Sequence, residues 1–344
     1  MNDTPTPTVF IVILNWNGVE DTLECLASIR NLNYPSCHTV VIDNGSTDGS
    51  SARLKAARPD IALIELPTNL GYTGGSNTGI QYALARGADF IWLLNSDTIV
   101  SPDSLSVLVT TACSDDAIAL ISPMIYDFVD TNRIQFWGIH ADMVRQTFYL
   151  APEPGTVMPG TSAIPLLLWG TALLVRSAAI RLIGQLDDRY FAYHEDLDYS
   201  LRAIRAGLRT VVEPQAVIYH KGTSASRIES PFKGYLFSRN LLLLWSTHLH
   251  GFPRYTYPFR YMARAIRQAV DLRESGHDAA SDACLNGAWS ALRGRYGPPG
   301  DHALTMPAAL RRVILGSPSF WIWLLTGRFG DIMRSAARRL ARRT

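Results

Sequence analysis

Cysteine is scarce in this chain, and it is not arranged to do much. Cys25, Cys37, Cys113 and Cys284 lie far apart in 344 residues and form no CxxC pair. That spacing argues against a disulfide framework or a thiolate zinc site and suits reduced thiols in a cytosolic protein. Long apolar runs are also missing. The longest candidate, IPLLLWGTALLV at 164–175, contains Pro165 and Gly170 and falls short of the roughly 18 to 20 residues that span a bilayer. The first residues, MNDTPTPT, lack the basic start and apolar core of a secretory signal. The expectation is a cytoplasmic protein without a transmembrane helix. Charge of one sign is scarce as well: the formal net charge is +2, so no whole-protein field points to nucleic acid. There is no internal repeat.

What is present is globular. Hydrophobic residues make up 47% and charged residues 18%, and the length suffices for one large domain with an appendage or for two modest ones. The basic residues gather at the end, where Arg328, Arg334, Arg338, Arg339, Arg342 and Arg343 face a single acid, Asp331. Such a tail suits an anionic surface.

The first half alternates strand and helix signals. Apolar, β-branched runs at 9–16, 38–43, 61–66 and 89–95 read as buried strands. Helical spacing of Leu23, Leu26, Ile29 and Leu32 predicts a helix over 19–32, and others are expected over about 50–57 and 76–86. Residues 69–79, with four glycines, read as a loop. Strands alternating with helices predict an α/β fold with a mostly parallel sheet and helices on both faces. Ligands then bind beyond the carboxyl ends of the strands, so the polar clusters Asn15–Asn17, Asp43–Asp48 and Asn95–Asp97 should converge in one crevice. Further strands are read at 118–127 and 166–177, and the proline-rich stretch 151–165 reads as a loop. From about 226 the pattern turns helical, which places a soft boundary near 225–235.

Each polar cluster has an ordinary explanation beside a chemical one. Asp43 in VIDNGSTDGS can accept hydrogen bonds from a base or a ribose, or simply shape a turn that caps the next helix. Asp97 in LLNSD can offer a hard oxygen ligand to a divalent cation, yet Asn, Ser and Asp are common turn residues. NLGYTGGSNTG lets backbone approach a ligand closely but does not match a P-loop. In YFAYHEDLD (190–198), Leu197, Leu201, Ile204 and Leu208 predict a helix beginning near Glu195 and ending before Gly207. Acids favour a first turn in any helix, but the aromatic residues ahead of them suggest a rimmed pocket. His220 lies at another strand end, beside Lys221.

In order, NWNG, VIDNGSTDGS, NLGYTGGSNTG, LLNSD, WGTALLVRSAAI…IGQLDDRYFAYHEDLDYSLRAIRAG, HKGTS and SRN resemble the inverting glycosyltransferases of family 2, over about residues 8 to 244. The nearest likeness is to the rhamnosyltransferase-like branch. The resemblance implies the GT-A fold: a Rossmann-like, mostly parallel sheet with flanking helices over 1–230, followed by a helical region over 231–344. The nucleotide-sugar half would cover about 1–115 and the acceptor half about 116–230. It implies a nucleotide-diphosphate-sugar site built from Asn15, Asn17, Asp43, Asn69, Gly71, Asn77, Asn95, Ser96, Asp97 and Lys221. Mg²⁺ or Mn²⁺ would sit on Asp97 and His220; Asn95 stands where relatives carry the first aspartate of a DxD, so Asp97 is expected to carry the ligation. Asp196 would be the catalytic base with Glu195 beside it, kept ionised by the helix dipole. Trp169, Gly170, Tyr193 and His194 would face the acceptor, with Tyr190 and Phe191 shaping its wall. The resemblance assigns no role to Arg239 and Asn240.

Implied partners are dTDP-L-rhamnose or a UDP-sugar, and a cell-surface or polyprenyl-diphosphate-linked glycan acceptor; the oligomeric state is open. Three rivals fit less well. A nucleotidyltransferase would want a basic glycine-rich loop after the first strand, and NWNGVED has no lysine or arginine. A non-catalytic glycan binder on the same fold would be expected to lose Asp97 or Asp196. A processive synthase would need membrane helices and a QxxRW motif. The segment FWIWLLTGRFGDIMRSAARRLARRT can form a basic amphipathic helix that lies on the inner face of the plasma membrane. Alternatively it packs through Trp321 and Trp323 as core.

Overall fold

The computed structural model describes residues 6–151, 165–222, 230–300 and 303–328. The proline-rich stretch 152–164, residues 223–229 and the arginine tail from 329 onward lie outside the described residues, together with the expectations placed on them. The strands are β1 (Val9–Asn15), β2 (Cys37–Asp43), β3 (Ala62–Glu65), β4 (Phe90–Asn95), β5 (Thr98–Val100), β6 (Ile118–Asp127), β7 (Ile134–Phe136), β8 (Ile139–Asp142), β9 (Thr147–Leu150), β10 (Leu166–Leu167), β11 (Ala172–Arg176) and β12 (Arg209–His220). The helices are α1 (Val19–Ile29), α2 (Ser50–Ala57), α3 (Gly71–Leu84), α4 (Ser104–Cys113), α5 (Ser177–Ile183), α6 (Glu195–Arg205), α7 (Pro231–His248), α8 (Phe252–Glu274), α9 (Asp278–Leu292), α10 (Ala308–Gly316) and α11 (Pro318–Trp323).

The chain forms two compact units, Met1–Phe191 with Glu195–Gly222, and Ala192–His194 with Thr223–Thr344. In the first, the main sheet runs β3-β2-β1-β4-β11-β6-β12-β5, with β7 on β6. The four strands from β3 to β4 are parallel. β11 then enters antiparallel to both β4 and β6, which makes the sheet mixed. Both faces are covered, as the near-continuous apolar runs of β1 and β4 require. Ile11, Ile13, Trp92 and Leu94 point into one core layer, and Phe10, Val12, Ile91 and Leu93 into the other.

The glycine-rich stretch departs from the sequence expectation. Helix α3 starts at Gly71 rather than near residue 76. Glycine is a poor helix former in isolation, so packing decides here. A Cβ on Gly75 would lie 2.3 Å from Leu14 Cδ1, and one on Gly79 would lie 2.2 Å from Val12 Cγ1. The helix rests closely on β1 because positions 75 and 79, which meet Leu14 and Val12, carry no side chains.

The second unit is helical. α7 and α9 approach backbone to backbone, since a Cβ on Gly287 would lie 2.2 Å from the Tyr235 carbonyl, and Tyr235 Oη lies 3.0 Å from Ser290 Oγ. α8 begins at Phe252 and carries Pro258 inside it. Trp321 is half-buried, whereas Phe320 and Trp323 are 52% and 54% exposed, so Trp323 is not a core residue. No helix among the described residues is long and apolar enough to cross a membrane.

Candidate active site

The register of the sheet brings the three polar strand ends together. Asn15 pairs with Asp43 across β1 and β2, and Leu14 pairs with Asn95 across β1 and β4. Asp43 is 3% exposed. Its Oδ1 accepts hydrogen bonds from Asn15 Nδ2 (2.7 Å) and Ser46 Oγ (2.6 Å). Asn15 is fully buried and also accepts from Thr22 Oγ1 (2.8 Å), so its side chain is committed to holding Asp43 in place. Asn17, in the left-handed region at φ +50°, takes the Thr47 N–H on its Oδ1 (2.8 Å) and leaves its side chain exposed at the loop. Trp16 beside it is 52% exposed.

Other expected nucleotide contacts are bound up in the protein. Asn77 donates to the Leu186 carbonyl (2.9 Å) and to Asp188 (2.8 Å), and accepts the Leu186 N–H (3.1 Å). It braces the segment ahead of α6. Asn69 accepts from Asn44 (3.0 Å) and from the Gly71 N–H (2.7 Å), which sets the start of α3. Gly71 sits at φ +76°, and a Cβ there would lie 2.3 Å from the Phe191 carbonyl. A glycine is needed there for this close approach. Lys221 is tied by its ammonium to Asp21 (2.7 Å) and Glu24 of α1. Asn95 and Ser96 are half-buried at the end of β4.

Asp97 and His220 meet because β5 pairs antiparallel with the end of β12, Thr98 opposite His220. Asp97 Oδ2 and His220 Nε2 are 3.3 Å apart. Neighbouring ligands of an octahedral divalent cation, each at about 2.1 Å, stand about 3 Å apart, so the pair fits one edge of such an ion. No group of three or more His, Cys, Asp or Glu side chains suited to a metal exists among the described residues. Gln135 Oε1 lies 2.9 Å from His220 Nδ1. Gln135 belongs to no motif, so nothing in the sequence singles it out.

The acidic turn is built differently. Gly170 N–H donates to Asp196 Oδ2 (2.9 Å) and Leu197 N–H to Oδ1 (2.8 Å). Tyr72, also missed from sequence, donates its hydroxyl to the Gly170 carbonyl (2.7 Å) and holds that peptide in place. Asp196 is half-buried, and burial raises its affinity for a proton against the lowering effect of the Gly170 and Leu197 amides. Desolvation thus exceeds the combined pull of these amides on its affinity for a proton. Glu195 is buried, and its Oε2 has no hydrogen-bond partner. Burial and the charges of Asp196 and Asp198 push it well above the usual carboxyl range. Asp198 is paired with Arg202 (2.8 Å), a structural ion pair.

The acceptor-side expectations change too. Trp169 stacks on buried Phe136 with centroids 4.3 Å apart, so one face is occupied. Tyr190 and Phe191 are 0% and 6% exposed, core residues rather than a wall. In the second unit, His194 is buried against Phe237 (4.2 Å), and burial with nearby Arg264 and Lys233 pushes its imidazole down to about 3. Its ring packs within this unit. Tyr193 is half-buried, with the Lys233 ammonium 5.5 Å from its ring. Tyr193 and His194 both occupy the left-handed region, at φ +68° and +70°. That costly backbone is held by Asn240, whose amide donates to the carbonyls of Ala192 (2.7 Å) and Tyr193 (2.8 Å), while Arg239 donates to Asn240 Oδ1 (2.9 Å). This gives Arg239 and Asn240 the role that sequence could not.

The architecture is that of known glycosyltransferases. A mannosyltransferase from Pyrobaculum calidifontis, solved with GDP-Man and Mn²⁺, matches 97% of this chain and 87% of its own at TM-score 0.50 and 17% identity. GalNAc-T7, solved with UDP, GalNAc and Mn²⁺, matches 70% and 51% at TM-score 0.52 and 16% identity. Family models described as glycosyl transferase family 2 and glycosyl transferase family group 2 match residues 10–166 and 90–328. The chain belongs to the family 2 glycosyltransferases. Among curated relatives, galactofuranosyltransferase GlfT1 of Mycobacterium tuberculosis is 28% identical over 59% of this chain and 66% of its own length. N-acetylglucosaminyl-diphospho-decaprenol L-rhamnosyltransferase of the same organism is 28% identical over 59% and 72%. Low-salt glycan biosynthesis hexosyltransferase Agl10 of Haloferax volcanii is 26% identical over 68% and 74%.

Proposed function

We propose that the chain transfers a sugar with inversion from a nucleoside-diphosphate donor to a hydroxyl of a cell-surface glycan or a polyprenyl-diphosphate-linked glycan. The observation that carries this reading is the Asp196 carboxylate. It is oriented by the Gly170 amide at 2.9 Å and made a stronger proton acceptor by burial. In a single displacement the acceptor hydroxyl gives its proton to Asp196 as its oxygen attacks the anomeric carbon. The bond to the diphosphate breaks on the opposite face. Asp97 and His220 would hold Mg²⁺ or Mn²⁺, which when bound offsets the charge that develops on the leaving diphosphate. Asp43 would receive the nucleoside through its less committed oxygen, Oδ2.

For the donor, dTDP-L-rhamnose is the first candidate and UDP-galactofuranose or another UDP-hexose the second. The names of the rhamnosyl- and galactofuranosyltransferase relatives support this pair. A non-catalytic glycan binder is disfavoured because Asp97 and Asp196 are both present. A thermal-shift screen of both donors with and without Mn²⁺ tests the reading. A donor at a hundred times its Kd should add about 2.7 kcal/mol of stability, and no response to any nucleotide sugar would defeat the transferase assignment. The exposed Phe320 and Trp323 of α11 suit contact with the inner face of the plasma membrane, where a lipid-linked acceptor would reside. Replacing both by alanine should lower sedimentation with anionic liposomes several-fold, and unchanged sedimentation would remove the membrane from the proposal.

A further inference from the structure

We infer that Gln135 is a positioning residue for metal binding: it fixes the tautomer of His220 so that the bare Nε2 faces Asp97. The inference rests on the reading of Asp97 and His220 as the metal pair.

The two ends of a carboxamide look alike, and its surroundings decide which is which. One end of the Gln135 amide lies 3.0 Å from Asp127 Oδ2 and 3.0 Å from the His220 carbonyl oxygen. Both are acceptors. The Asp127 carboxylate is itself gripped by the amides of Val129 (2.9 Å) and Asp130 (2.8 Å) and by the Arg133 guanidinium. The nitrogen of Gln135 must therefore point that way, and its oxygen must point at His220 Nδ1, 2.9 Å away. An acceptor at that position requires Nδ1 to carry the hydrogen. A neutral imidazole has one N–H, so the lone pair is left on Nε2.

The nitrogen that carries that lone pair lies 3.3 Å from Asp97 Oδ2. Two electron-rich atoms face each other across a gap suited to a cation. Gln135 lies on β7, which pairs with β6, and Asp127 ends β6 opposite His220 on β12. Three strands of one sheet thus fix the amide, the ring and the metal-facing nitrogen together. A histidine free to turn would spend part of its time with a hydrogen on Nε2, where it would repel a cation and bond Asp97 instead.

Two measurements test this. In metal-free protein with ¹⁵N-labelled histidine at about pH 8, above the ordinary imidazole range, the His220 nitrogen shifts should report hydrogen on Nδ1 and none on Nε2. A hydrogen on Nε2 in the wild type would overturn the inference without any variant. In Gln135→Leu, which keeps the bulk but offers no acceptor, the ring should redistribute toward the Nε2–H form. Mn²⁺ affinity, followed from the free-ion paramagnetic resonance signal with no substrate present, should fall roughly 10- to 100-fold. His220→Ala is the reference. If His220→Ala weakens Mn²⁺ binding and Gln135→Leu does not, the metal pair stands and the role of Gln135 is overturned. If His220→Ala changes nothing, the metal pair itself is wrong and the inference falls with it.

Discussion

Two carboxylates of the first unit, Asp43 and Asp196, are treated in opposite ways by the fold. Asp43 ends a parallel strand with one oxygen doubly hydrogen-bonded by Asn15 and Ser46. Asp196 opens a helix, receives only backbone amides, and lies beside a second carboxylate whose Oε2 is buried without a partner. A group that must hold a ligand in one orientation gains from neighbours that fix it beforehand. A group that must accept a proton gains from being short of stabilising partners. On the proposed reading, the contrast separates a recognition group from a chemical one.

The largest test of that contrast is Asp196→Asn. It should lower kcat roughly 10²- to 10⁴-fold while donor affinity, read by calorimetry, stays near that of the wild type. Asp43→Asn should do the reverse. Losing a charge-assisted acceptor costs about 1.5–3 kcal/mol, so donor affinity should fall roughly 10- to 100-fold with a smaller change in kcat. If both variants move the same parameter, the division of labour is wrong. Asn77→Ala should lower unfolding stability by about 1–3 kcal/mol, because the bonds to Leu186 and Asp188 that brace the approach to α6 are lost; denaturant melts would show it.

The smallest expected effect has the opposite sign. Glu195 binds its proton more tightly folded than unfolded, so its contribution favours the folded state at low pH and is lost as pH rises through the folded value. Glu195→Gln removes that loss. It should raise the melting temperature near pH 8 by roughly 2–4 °C, about 1 kcal/mol, with the gain vanishing near pH 4. A gain of equal size at both pH values would mean that the burial of charge is not its source.

The strand ends were readable in the sequence because alternation and β-branched runs place Asn15, Asp43 and Asn95 at the edge of a buried sheet. Helix α6 was readable from its apolar spacing. The start of α3 was not, since glycine reads locally as a loop and only the face of β1 makes it helical. The roles of Asn77 and Lys221 were hidden for a similar reason: a polar residue near a strand end looks the same whether it meets a ligand or the protein. Nor could sequence reveal that Glu195 is buried, or that Gln135, far from any motif, lies against His220. These depend on contacts between segments remote in the chain.

The pairing of β5 with β12 has a consequence for folding. Asp97 emerges early in the chain and His220 late, and their approach requires the Thr98–His220 register, which lies across β11 and β6 from β4 in the sheet. Few contacts in the sheet join residues so distant in sequence, and such closures come at high entropic cost and late in folding. A divalent ion that needs both side chains would bind only a chain that has completed this step.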